Sequence, residues 1–154
     1  MDVSIKIPCT LVPVRKFNLL LPNSAIAEVI VSSALELPTN APQWLYGIVK
    51  WQEYNVHVIE FDKIDLAQNI PNNKKSIILV LRNPSPTNKV PYIGILAKSI
   101  PQVIDVNSRN IDKNLHPQIT HSHAKSYVIV NKKDGVIPNV ESLANLIKLA
   151  SISP

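Results

Sequence analysis

The chain has 154 residues, 45% hydrophobic and 18% charged, which is enough apolar material for one globular core and too short for two large independent domains. A net charge of +5 with a pI near 9.4 invites a small basic β-barrel that binds nucleic acid as the alternative reading. Against it, Lys74-Lys75 and Lys132-Lys133 are isolated pairs in expected turns, and no aromatic residues alternate with basic ones as a base-stacking platform needs.

The start Met1-Asp2-Val3-Ser4 lacks the basic-then-apolar layout of a signal peptide. Nothing approaches the uninterrupted run of about 18 apolar residues that a membrane span requires, so a cytoplasmic location without membrane insertion is expected. Cys9 is the sole cysteine, which removes an intramolecular disulfide and a multi-cysteine zinc site.

Along the chain, short runs rich in Val, Ile and Leu recur between polar, Pro- and Asn-rich breaks, the rhythm of an all-β domain with short helices. Strands are predicted at Cys9 to Val14 and Phe17 to Leu21, joined by a hairpin at Arg15-Lys16. Asn23-Ser24 suits the start of one helical turn through Ala25 to Glu28, and a strand follows at Ala27 to Val31. Leu45 to Trp51 and Asn55 to Phe61 are the next two strands, reversing around Gln52-Glu53-Tyr54. Ser76 to Leu81, Val90 to Leu96 and Val103 to Val106 continue the series. Asp105 to Lys125 carries no apolar alternation and is expected to be a long connection. Tyr127 to Val130 then leads into a turn at Lys133-Asp134-Gly135, where Gly135 is the expected positive-φ residue. Asn139 is a good cap for a final helix, on which Val140, Leu143, Leu146 and Ile147 share one face.

The usual seats of chemistry are missing or weak. The chain has three glycines, too scattered for a phosphate-cradling loop. His116, His121 and His123 could surround a zinc ion only if something fixed their loop, and they are read as solvated loop side chains. His57 and Glu60 lie three apart on a strand and so point to opposite faces, against an acid–base pair. Cys9 has no neighbouring base to activate it and suits a packing role. No catalytic residue, metal site or cofactor is expected. Trp44, Tyr46, Trp51 and Tyr54 form the densest aromatic cluster, and the odd separation of Tyr46 and Trp51 sets them on opposite faces, with Trp51 a candidate exposed anchor.

Order and spacing over nearly the whole chain resemble the CheW-like adaptor family. The resemblance is carried by Ala25-Ile26-Ala27-Glu28-Val29-Ile30, by the Gly-headed strand Trp44-Leu45-Tyr46-Gly47-Ile48-Val49-Lys50-Trp51, and by Tyr92-Ile93-Gly94-Ile95-Leu96-Ala97-Lys98. The final segment from Tyr127 to Leu143 fits as well. Trp51, Leu19-Leu20-Leu21-Pro22 and Ile137-Pro138 make the chain look closest to the ChpC branch, which serves chemosensory systems governing type IV pili and twitching motility.

The resemblance implies one domain spanning 1–154, built as two interleaved five-stranded β-barrels packed around a shared hydrophobic core. It implies no catalysis. It implies two partners, the regulatory domain of a CheA-like histidine kinase and the cytoplasmic tip of a chemoreceptor. Carried over by position, Ile26, Glu28 and Val29 would line the receptor groove and Gln52 would occupy the place of the family's arginine, while Trp51 is the partner-binding candidate from the aromatic cluster. Gln52 cannot make an arginine's bidentate contact with a carboxylate. Glu53 for Gly and His57 for Pro also depart from the family pattern. On a regular strand Glu28 would point away from both Ala27 and Val29.

Overall fold

The computed structural model describes residues 5–64, 75–85 and 89–150; Lys74, read above as part of a turn, lies outside them. Among the described residues, eleven strands form two sheets. In chain order they are β1 (Ile7–Pro13), β2 (Asn18–Pro22), β3 (Ile26–Ser32), β4 (Leu45–Trp51), β5 (Tyr54–Ile59), β6 (Ser76–Arg82), β7 (Tyr92–Ala97), β8 (Gln102–Val106), β9 (Ile111–Lys113), β10 (Ala124–Val130) and β11 (Lys133–Pro138), followed by helix α1 (Val140–Leu149). The first sheet has the order β8-β1-β2-β11-β10-β9 and the second β3-β6-β7-β5-β4.

In both sheets the two edge strands are neighbours along the chain, so each sheet must curl for its ends to be joined. Asn107 to Asn110 connect β8 to β9, and Asn110 Nδ2 donates to the Asp105 carbonyl at 2.7 Å. In the second sheet the connection from β3 to β4 lies against β4 itself, where Glu36 and Ile48 exchange backbone bonds of 2.9 and 2.7 Å. Gly47 permits that approach, since a Cβ there would lie 2.9 Å from the Leu35 Cβ.

Period-two alternation divides the apolar residues between three clusters. Cys9, Leu11, Leu20, Val128 and Val130 point inside the first curl, and Val49, Val56, Val58, Ile78 and Val80 inside the second. The alternate positions, among them Val12, Leu19, Leu21, Leu79, Leu81, Ile93 and Ile95, face the other sheet and form the shared core with Phe61. Leu143, Ala144 and Ile147 of α1 complete it. Asn139 caps this helix as expected, its side chain accepting from the Ser142 amide.

Three expectations are corrected. The connection expected from Asp105 to Lys125 contains β9, whose three residues Ile111-Asp112-Lys113 are too few to produce a pattern, so the first sheet has six strands where five were implied. The turn at Asn23 is a 3₁₀ turn that stops at Ala25; Ile26 is already extended, because the β-branched run Ile26, Val29, Ile30, Val31 favours strand. The last hairpin turns at Asn131-Lys132, both at positive φ, so Gly135 belongs to β11 and no glycine has positive φ. Bulges interrupt β3 and β4, with consequences at the site.

Candidate partner-binding site

Edge strands β3 and β4 meet through side chains. The indole Nε1 of Trp51 donates to Glu28 Oε1 at 3.1 Å, a bond that closes the second curl across its open side. Trp51 is 8% exposed, so the expected exposed anchor is instead the packed end of the barrel interior, among Val49, Val56 and Val58. Tyr92, at the start of β7, meets the indole edge-on at 4.9 Å, and Tyr54 lies 4.8 Å from Tyr92. Trp51 and Tyr54 face each other across the hairpin at 6.3 Å, and Tyr54 is 41% exposed.

The bulges explain two departures from simple alternation. One between Leu45 and Gly47 sets Tyr46 toward the interior cluster that also holds Trp51, so the two do not occupy opposite faces as expected. The other, between Ile26 and Glu28, lets Ala27 pack inside the curl that Glu28 closes, while Val29 and Val31 point outward. Ile26, before the bulge, packs against the core between the sheets. Its carbonyl and that of Ser24 accept from Arg82 Nη1 at 2.8 and 2.9 Å, which pins the start of β3 to the end of β6.

Of the five residues nominated from the sequence, Glu28 and Trp51 are thus in direct contact, and Gln52 follows Trp51 at the hairpin tip with φ at 52°. Val29 is on the other face of β3, and Ile26 is turned toward the shared core. Tyr92 and Arg82 were missed by sequence reasoning. Nothing local marks them, because they reach the site only through the strand order β6-β7-β5-β4.

The histidines divide. His116 is exposed, but His121 and His123 are not solvated loop side chains, and that expectation is corrected. The His121 ring stacks on Phe61 with centroids 4.0 Å apart and Nε2 2.6 Å from the Phe61 carbonyl. Its Nδ1 accepts from the His123 amide at 3.0 Å, so Nε2 carries the proton and donates. His123 Nδ1 is 2.8 Å from the Ser142 hydroxyl, itself donating to the Asn139 carbonyl. Together they fasten the segment before β10 to the shared core and to α1. Cys9 is buried, and burial first and the Asp105 carboxylate second push its thiol above the ordinary range, against nucleophilic use. Among the described residues no helix is long and apolar enough to cross a membrane.

Two curled sheets thus share one core, and a side-chain seam between β3 and β4 closes the second of them. The CheW-like domain family matches residues 8–148, and the chain belongs to that family. CheW-like domains are non-enzymatic scaffolds of chemosensory signalling. The fold is also similar to that of the scaffolding protein TtCheW from Thermoanaerobacter tengcongensis, with a TM-score of 0.65 and 13% identity over 87% of this chain and 89% of that one. No curated protein matches the chain.

Proposed function

We propose that this chain, acting as one CheW-like domain in the cytoplasm, couples a CheA-like histidine kinase to the tip of a chemoreceptor through two separable surfaces. The family match over residues 8–148 carries the reading. Supporting it locally, β3 is an edge strand whose two sides differ in chemistry. Glu28 with Trp51 and Gln52 makes a polar and aromatic rim, while Val29 and Val31 leave an apolar strip 46% and 64% exposed. We assign the rim to the receptor, with Val29 contributing from the outward face of the same strand and Ile26 holding the start of that strand against the shared core. The resemblance of Trp51, Leu19 to Pro22 and Ile137-Pro138 to the ChpC branch supports an output at type IV pili.

The test is a pull-down from the native cell with the wild-type chain and with Glu28→Lys. A CheA-like kinase and a receptor should both be recovered by the wild type. The variant should lose receptor and keep kinase, since a reversed charge at the rim leaves surfaces elsewhere unchanged. Equal loss of both, or of neither, overturns the assignment of the rim to the receptor. A twitching assay on a strain lacking the gene tests the pilus output separately.

A further inference from the structure

We propose that the rim formed by Glu28, Trp51, Tyr54 and Tyr92 is a receptacle for a guanidinium, an arginine side chain carried by the protein that docks on this edge. The inference rests on the adaptor reading in taking the occupant to be part of a protein partner.

A carboxylate on an exposed strand normally moves freely and pairs with whatever cation is near. Glu28 is held instead: its Oε1 accepts from a buried indole at 3.1 Å, and among the described residues its carboxylate has no other hydrogen bond and no ion pair. That leaves the second oxygen with full acceptor capacity, on a carboxylate whose position is already fixed. The chain's net charge of +5 makes the lack of an internal partner notable. The geometry accounts for it. Lys50 alternates with Trp51 and so lies on the other face of β4, and Arg82 Nη1 is engaged by the carbonyls of Ser24 and Ile26.

Against the indole that holds the carboxylate stand two phenol rings whose centroids are 4.8 Å apart, Tyr54 41% exposed and Tyr92 half-buried, neither hydroxyl hydrogen-bonded among the described residues. An oriented carboxylate oxygen next to accessible aromatic faces attracts a cation through charge-assisted hydrogen bonding and the ring quadrupoles together. A planar guanidinium satisfies both at once by stacking and donating edge-on, whereas a compact, strongly hydrated ammonium does not. Gln52 adds no positive charge at the neighbouring tip, and Glu53 adds a negative one.

The test uses the two indole N–H resonances of the full chain, Trp44 serving as internal control for Trp51. N-acetyl-arginine amide, added up to about 0.1 M to reach a weak site, should shift the Trp51 indole signal saturably and leave Trp44 still. N-acetyl-lysine amide should bind several-fold more weakly. Glu28→Gln keeps an oxygen for the indole and so preserves the seam while removing the charge; it should weaken arginine binding roughly tenfold. Tyr54→Ala removes an exposed aromatic face and should weaken it independently. No saturable shift, equal response to arginine and lysine, or an unchanged response in Glu28→Gln overturns the receptacle. With an isolated receptor tip, Gln52→Arg should weaken docking by repelling the incoming arginine, and tighter docking would mean that the partner brings an acid instead. If arginine binds as described but neither kinase nor receptor is recovered from the cell, the adaptor reading fails and the receptacle stands; the reverse result removes the receptacle alone.

Discussion

Asn131 and Lys132 both have positive φ, 49° and 65°, between the paired residues Val130 and Lys133. This is the geometry a two-residue hairpin loop needs, and it suits Asn-Gly far better than Asn-Lys. A lysine in the left-handed region costs roughly 1–2 kcal/mol, partly offset in a glycine by about 0.5–1 kcal/mol of chain entropy. Lys132→Gly should therefore raise the thermal midpoint by a few degrees, read by circular dichroism. Cys9 supports a second expectation at this scale. Its thiol is pushed upward by burial and then by Asp105, so the folded state favours the protonated form. That contribution is intact below the ordinary thiol range and is lost as pH rises through the folded value. Alkylation by iodoacetamide at mildly alkaline pH should accordingly be far slower in the native protein than in denaturant. Comparable rates would show that Cys9 is accessible.

The segment before β10 draws its order from side chains rather than from pattern, which is why it was illegible as anything but a connection. His121 stacks on Phe61 and bonds to its carbonyl, and His123 reaches Ser142 of α1. His121→Ala should cost about 1–3 kcal/mol, since it removes the ring stacked on Phe61, that ring's bond to the Phe61 carbonyl and the acceptor of the His123 amide. His116→Ala, at an exposed position, should change stability by less than about 0.5 kcal/mol. Urea unfolding of the two variants distinguishes this fastening role from three equivalent loop histidines, for which both changes would be silent. The strands themselves were readable because their apolar runs alternate: β4 was placed at Leu45–Trp51 from the sequence, and α1 was placed by Asn139 and the spacing of Leu143 and Ile147. Bulges were not readable. An added residue in β3 or β4 changes which side chains share a face without leaving any compositional mark, so the shared side of Tyr46 and Trp51 was missed. That Glu28, Trp51 and Gln52 lie near one another was legible; that Tyr92 joins them was not, because it arrives from a strand that is distant in sequence.

At the scale of the molecule the chain starts the first sheet with β1 and β2, builds the whole second sheet with β3 to β7, and returns to finish the first. The first sheet stays incomplete until the second has been built, and the core between them couples the two curls. Ile59 is at the centre of that coupling. It ends β5, pairs with Leu45 on one side and in parallel with Ile95 on the other, and is fully buried in the core that also takes Leu143 and Ile147 from α1. An aspartate there has no cation to meet among the core residues, and burying it costs several kcal/mol against a whole stability of about 5–15 kcal/mol for a domain of this kind. Ile59→Asp should fail to fold, as judged by loss of a cooperative thermal transition. Val31→Asp, on the exposed side of β3 at 64% exposure, is the control and should fold normally. If the Ile59 variant unfolded in two steps, with one sheet persisting, the curls would be independent units and the shared core would not be what joins them.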